Sequence, residues 1–309
     1  MVEGVMCVVV IAGCGRLAFD PSDDGGYEPS APDGQSRTNA TMRCSWAEGE
    51  PTRATAPAPV TSLTSGMGEY DPFLVPDDPH TMYFGSGRSG DGDIYQAHRA
   101  ALDVQWGPPI PVSELNTDAN FEGALVVDAG AVHGYYSMFD YGSGRAKLYE
   151  LTRTSTSAPY RVVRELTELD TNTVQYDPFP SPDELTMHFT AGGGTDDLRL
   201  YVATRATAEA TWNDVQRMPY GTAGASQQSL TSDQLVVFWS AQNGTNFDLY
   251  YAVRPAVTDP FGPPKRLSVS TPDNDYEPYI REDGCELHWS RSSAGASEGN
   301  LYEVMFAPQ

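Results

Sequence analysis

Five residues recur at nearly even intervals along this 309-residue chain, and four of them carry a carboxylate: Asp71, Glu122, Asp177, Gln227 and Glu277, separated by 51, 55, 50 and 50 residues. Carboxylates converging on one point perform general acid and base work. A protonated acid and an ionised base roughly 6.5 to 9.5 Å apart hydrolyse a glycosidic bond with inversion. That chemistry would fall to Asp71, Glu122, Asp177 and Glu277. A second reading is architectural. A residue repeated in every unit most simply satisfies the same backbone groups in every unit, as Asp does in turns, whereas a catalytic site breaks the repeat. Gln227 cannot ionise, so the architectural reading is preferred and the catalytic one kept as its alternative.

The remaining reactive side chains fit the same preference. Of the five histidines, His80, His98, His133, His188 and His288, the last two fall in a column of second-strand aromatics with Tyr83, Tyr135 and Phe238. Packing between repeats is expected of them, and no metal site is expected. Arg99, Arg153, Arg205 and Arg254 each close a third strand four residues after a Tyr, an arrangement suited to stacking guanidinium groups on ring faces. The turn Ser89-Gly90-Asp91-Gly92-Asp93 offers oxygens to Ca²⁺ but lacks the ligand spacing of a longer calcium loop, so no cofactor is expected. Tyr141, Trp212, Tyr220 and Trp239 are candidates either for a saccharide-binding face or for ordinary packing. No HExxH, P-loop or GxSxG pattern occurs.

A repeated module must position these residues. Residues 70–99, YDPFLVPDDPHTMYFGSGRSGDGDIYQAHR, read as three short strands parted by a proline-aspartate turn and a glycine-rich turn. The frame returns from Phe121 to Arg153, Tyr176 to Arg205, Ser226 to Arg254 and Tyr276 to Phe306. Between copies lies a fourth strand-like segment, as in Trp106-Gly107-Pro108-Pro109-Ile110-Pro111-Val112, whose prolines suit a sheet edge. Four short strands in a repeat of about 50 residues is the pattern of a β-propeller. The fifth copy lacks its outer strand. Residues 57–64, which match 263–268 in shape, are expected to supply it and close a ring of five four-stranded antiparallel blades.

The motifs DPFLVPDDPHTMYFGSGRSGDGDIY and DPFPSPDELTMHF…LYVATR resemble the WD40-like (PD40) repeat of TolB-type propellers. The resemblance implies an all-β propeller, with a six-bladed TolB-like ring as the alternative to five blades, and carries little about function. Asp71-Pro72-Phe73-Leu74 followed by Met82-Tyr83-Phe84 also resembles the first blade of five-bladed glycosidases of the arabinanase and levansucrase type. Those enzymes place an Asp base, a second Asp and a Glu acid on inner strands.

Residues 1–14, MVEGVMCVVVIAGC, resemble the signal segment and lipobox of bacterial lipoproteins, although Glu3 stands where a Lys or Arg is usual. The resemblance implies lipidation at Cys14 and a place in the cell envelope, periplasmic or at the outer membrane. Residues 15–43 are acidic, rich in Pro and Gly, and expected to be a disordered linker. Residues 44–309 are expected to form the propeller. Within it, Cys44 precedes the closing strand and Cys285 stands in the blade that strand completes, which suits a disulfide; two unrelated thiols are the alternative. With 42 acidic against 19 basic residues the net charge is −23, which repels phosphate backbones and argues against nucleic acid as a partner. The chain therefore reads as a monomeric, non-catalytic binding or scaffold propeller for an envelope protein or glycan, touching the membrane only through a lipid anchor.

Overall fold

The computed structural model describes residues 43–170, 174–193, 197–293, 296 and 299–308. The expected signal segment, Cys14 and the linker up to residue 42 lie outside the described residues. A two-residue strand, β1 (Ala58–Pro59), is followed by four antiparallel meanders. They are β2 (Glu69–Val75), β3 (Asp78–Ser86), β4 (Asp93–His98) and β5 (Ile110–Pro111), then β6 (Asn120–Val127), β7 (His133–Asp140), β8 (Arg145–Thr152) and β9 (Arg161–Glu165). The third comprises β10 (Val174–Pro180), β11 (Thr186–Gly192), β12 (Arg199–Thr204) and β13 (Asn213–Arg217), and the fourth β14 (Ser226–Leu230), β15 (Val236–Asn243), β16 (Asn246–Val253) and β17 (Lys265–Arg266). The fifth, β18 (Asn274–Ile280), β19 (Glu286–Ser292) and β20 (Asn300–Met305), has three strands of its own, and β1 completes it. The inner strands β2, β6, β10, β14 and β18 neighbour one another in a closed circle, which makes a ring of five blades.

Closure by the expected segment is present. Ala58 faces Glu303 and Pro59 faces Tyr302 in the antiparallel β1–β20 pair, and Val60 N–H donates to the Leu301 carbonyl at 2.8 Å. The outer strands are blunt: Pro59, Pro111 and the Lys265–Arg266 pair stand on exposed edges, where proline and charge discourage further strand pairing. Cys44 and Cys285 are bridged with their Cα atoms 5.1 Å apart, across a sequence separation of 241.

One contact is repeated from blade to blade. Arg99, Arg153, Arg205 and Arg254 lie over the rings of Trp106, Tyr160, Trp212 and Phe261 at 4.1 to 4.4 Å from the centroids. Each Nε–H also donates to a carbonyl at or just after the turn between the first and second strands of its blade, at Pro79, Ala131, Glu184 and Gln234 respectively. The stacking expected of these arginines is therefore present, and the bond to the turn explains the fixed spacing. Blade five has Phe306 at this position. There Trp46, from the chain ahead of β1, packs edge-on to Phe306 and donates its Nε1–H to the Gly284 carbonyl at 3.0 Å, so an indole N–H replaces the guanidinium.

Candidate functional site: the axial channel and its aromatic mouth

Every inner strand is broken by a bulge, a register shift between Tyr70 and Phe73, Gly123 and Val126, Tyr176 and Phe179, Ser226 and Ser229, and Tyr276 and Tyr279. At each bulge one residue adopts a left-handed backbone: Asp71 (φ 50°), Ala124 (49°), Asp177 (56°), Gln227 (47°) and Glu277 (59°). Such a backbone is uncommon for residues with a Cβ, and here the surrounding ladder imposes it. In blades one, three and five the next residue is proline, Pro72, Pro178 or Pro278, whose missing N–H costs nothing at a bulge.

The column of sequence repeats is thereby corrected at one member. Ala124, not Glu122, is the second-blade equivalent of Asp71. Glu122 stands two residues earlier, level with Glu69 and Asp275, and its carboxylate accepts from the N–H and hydroxyl of Thr117 at 3.1 and 2.8 Å. Glu69 is held in the same way by Ser65, and Asp275 by Thr271. A shift of two preserves strand alternation, so periodicity alone could not detect it. The recurring hydroxyl residue four or five positions ahead of the acid is the signal that would have.

The true column forms an axial belt. Glu277 Oε2 accepts from the Asp71 N–H at 3.1 Å, Asp71 Oδ2 from Ala124 N–H at 3.0 Å, and Asp177 Oδ2 from Gln227 N–H at 3.1 Å. Each of these side chains reaches the bulge of the next blade. Gly123 makes room for one of these reaches, since a Cβ there would lie 2.7 Å from Asp71 Oδ2. Ala124 has no side-chain acceptor to extend, and Gln227 Oε1 is buried without a partner among the described residues.

No Lys or Arg pairs with these three acids among the described residues. Burial pushes the Asp71 carboxyl well above the usual range, and the charge of Asp177 adds to it against the Ala124 N–H. Burial raises Asp177 to about 6, opposed by hydrogen bonds from Thr190 and Gln227. Glu277 is raised by burial and then by Asp71. The belt thus holds protons that ordinary carboxyls release.

The space around the belt is uneven. Beside it, between the five bulges, the cavity measures about 10 Å³, room for about one water molecule. At the starts of the inner strands the channel opens into a depression of about 410 Å³ lined by Tyr70, Phe121, Phe247, Tyr276 and Glu277. Tyr70 and Phe121 stack at 4.9 Å, and Phe247 meets Tyr276 edge-on at 6.4 Å. These mouth aromatics were missed from the sequence, although Tyr70 and Tyr276 directly precede belt acids. Of the four aromatics read as candidates for a saccharide face, Trp212, Tyr220 and Trp239 are buried between strands, and only Tyr141 is exposed.

The histidines lie away from the belt. His188 and His288 sit between blades as expected; burial lowers His188 to about 4. One trio among the described residues brings ligand atoms within 4.8 Å, Glu286, His288 and Glu303, and the turn at residues 89–93 is not part of it. The Glu286 carboxylate is already held by Arg99 at 2.8 Å and Arg281 at 2.7 Å, two cations that oppose a metal ion. His133 lies 2.7 Å from Glu184 and 3.1 Å from Glu150, and these bonds raise it to about 9.

The chain matches no protein-family model, and no curated protein matches it in sequence. Solved structures do resemble its fold. The catalytic domain of the GH62 α-L-arabinofuranosidase of Coprinopsis cinerea superposes with a TM-score of 0.56 at 9% identity, over 84% of this chain and 98% of that one. The GH43_1 enzyme of Xanthomonas citri, solved with xylotriose, gives 0.56 at 12% identity over 83% and 91%. TolB from Acinetobacter baumannii gives 0.49 at 14% identity, and this chain spans 56% of its length.

Proposed function

We propose that this protein is a non-catalytic binding or scaffold propeller of the bacterial cell envelope, which receives a glycan or an exposed segment of an envelope protein at its aromatic mouth. One observation carries the reading: the belt acids Asp71, Asp177 and Glu277 each accept a backbone N–H of the next blade, beside a cavity of about 10 Å³. Groups so engaged join blades, and no sugar ring fits beside them. The mouth offers flat rings at Tyr70, Phe121 and Tyr276, the surface on which sugars and apolar side chains settle. In this reading the protein works as a monomer without a cofactor, tethered by a lipid on Cys14 and residues 15–43, and nucleic acid is no partner. Wild-type protein would fractionate with membranes and a Cys14→Ser form would not.

A glycoside hydrolase is the second reading, favoured by the raised proton affinity of Asp71 and Asp177, which influence one another electrostatically. An acid kept protonated near neutral pH beside an ionisable partner is the requirement for that chemistry. Glu122 has no place in it, which leaves Asp71, Asp177 and Glu277. A screen of the purified protein against aryl-glycosides and polysaccharides, repeated with Asp71→Asn, separates the two. The binding reading expects no turnover. Hydrolysis that vanishes in Asp71→Asn at an unchanged melting temperature would replace it with the enzymatic one.

A further inference from the structure

At the opposite end of the channel from the mouth, the ends of the inner strands line a second cavity, of about 120 Å³ and partly open to solvent. Phe73, Val126, Phe179, Leu230 and Tyr279 supply apolar wall, and the imidazole of His188 interrupts it. The neighbours of that ring fix its protonation. Gln228 Nε2 donates to the carbonyls of Phe189 at 3.2 Å and Tyr201 at 3.1 Å, so Gln228 Oε1 is an acceptor, and it takes the Tyr220 hydroxyl at 3.0 Å. His188 Nδ1, 3.3 Å from the same oxygen, therefore carries the proton. His188 Nε2 is left as a lone pair with no partner among the described residues, on a side chain only 4% exposed. That lone pair is open to the cavity that His188 lines, so an occupant that donates to it makes a hydrogen bond the protein itself does not supply.

The carboxylates and tyrosine hydroxyls along the wall are engaged. Glu184 is held by His133 and Arg205, Asp128 by the N–H groups of Val132 and His133, and Glu282 by the N–H of Asp77. The Tyr279 hydroxyl donates to the Leu74 carbonyl at 2.8 Å, and the Tyr135 hydroxyl accepts from Arg205 at 3.1 Å. Size limits the occupant: an apolar cavity of about 150 Å³ holds benzene. We propose that this cavity binds a small neutral aromatic alcohol, a phenol-sized ring whose hydroxyl donates to His188 Nε2. The site is independent of the aromatic mouth and goes beyond the reading given for it.

Phenol and toluene, nearly equal in shape, test this when titrated into the full chain and followed by NMR. In the wild type both saturate. Replacing His188 by Phe, the residue blade four carries in this column as Phe238, should weaken phenol about tenfold relative to toluene, the value of one buried hydrogen bond. Leu230→Trp, which fills the cavity, should abolish both. An unchanged phenol-to-toluene ratio in His188→Phe, undiminished binding in Leu230→Trp, or no saturation by either ligand in the wild type would overturn the assignment. Thermal melts establish that the variants fold, and His188→Leu, which likewise offers no acceptor, replaces His188→Phe if that variant does not.

Discussion

Replacing Asp177 by Asn removes a proton-binding group from the axial belt while keeping an oxygen for the Gln227 N–H. Burial holds the carboxyl at about 6 against an ordinary 3.8. The folded chain therefore binds this proton more tightly than the unfolded chain does. Its contribution to stability is complete below pH 4 and is lost as the pH rises through 6. At 1.36 kcal/mol per pH unit the difference amounts to about 3 kcal/mol, an upper figure because the side chain keeps some contact with water in the channel. A domain of this size shifts by about 2 to 4 °C per kcal/mol. Between pH 5 and 7.5 about 1.4 kcal/mol of this is in play, so wild-type protein should melt roughly 3 to 6 °C higher at pH 5 than at pH 7.5 on account of this group, with Asp71 and Glu277 acting in the same direction. Asp177→Asn should gain stability at pH 7.5, gain little at pH 4.5, and show a flatter profile between. Calorimetry from pH 4.5 to 8 measures both. A variant with the wild-type slope, or one destabilised at pH 7.5, would refute the reasoning, since either result means the carboxylate is ionised and stabilised in the fold.

Removing the Cys44–Cys285 bridge with Ser at both positions should lower stability by up to about 5 kcal/mol, the chain-entropy figure for so long a loop; denaturant titration measures it, and non-reducing peptide mapping of the wild type should recover the linked pair. Arg153→Ala loses both the ring contact with Tyr160 and the bond to the Ala131 carbonyl, and should cost about 1 to 3 kcal/mol in the same assay. Trp46→Phe keeps a ring but loses the bond to the Gly284 carbonyl, and should cost about 1 kcal/mol. His133, raised to about 9 chiefly by its bonds to Glu150 and Glu184, stabilises fully below pH 6.5 and loses that contribution as the pH rises through 9, so His133→Gln should flatten the melting profile between pH 7 and 10.

The fold was largely legible because a propeller repeats its instructions. The Tyr-to-Arg interval, the proline-marked outer strands and the three-stranded last copy together gave blade order and ring closure. The site was read less well, for a definable reason. A bulge inserts a residue without changing the polar-apolar alternation on either side, so a column aligned by residue type slid by two at Glu122. Nor does sequence distinguish an aromatic at a channel mouth from one between blades, since Tyr70 and Trp239 both occupy strand positions and differ only in what lies over them. The replacement of Arg by Trp46 was hidden too, because the substitute comes from a segment far from Gly284 in sequence.

The strand that completes the fifth blade is made long before its partner. Until β20 exists, β1 has no ladder to join, and the last three strands present an open edge that any β1 can fill, from the same chain or another. Ring closure is therefore the most non-local event in folding and is expected to come late. Refolding at high concentration should divert part of the population into dimers that have exchanged this strand, and oxidation of Cys44 onto the Cys285 of the other copy would make the exchange permanent.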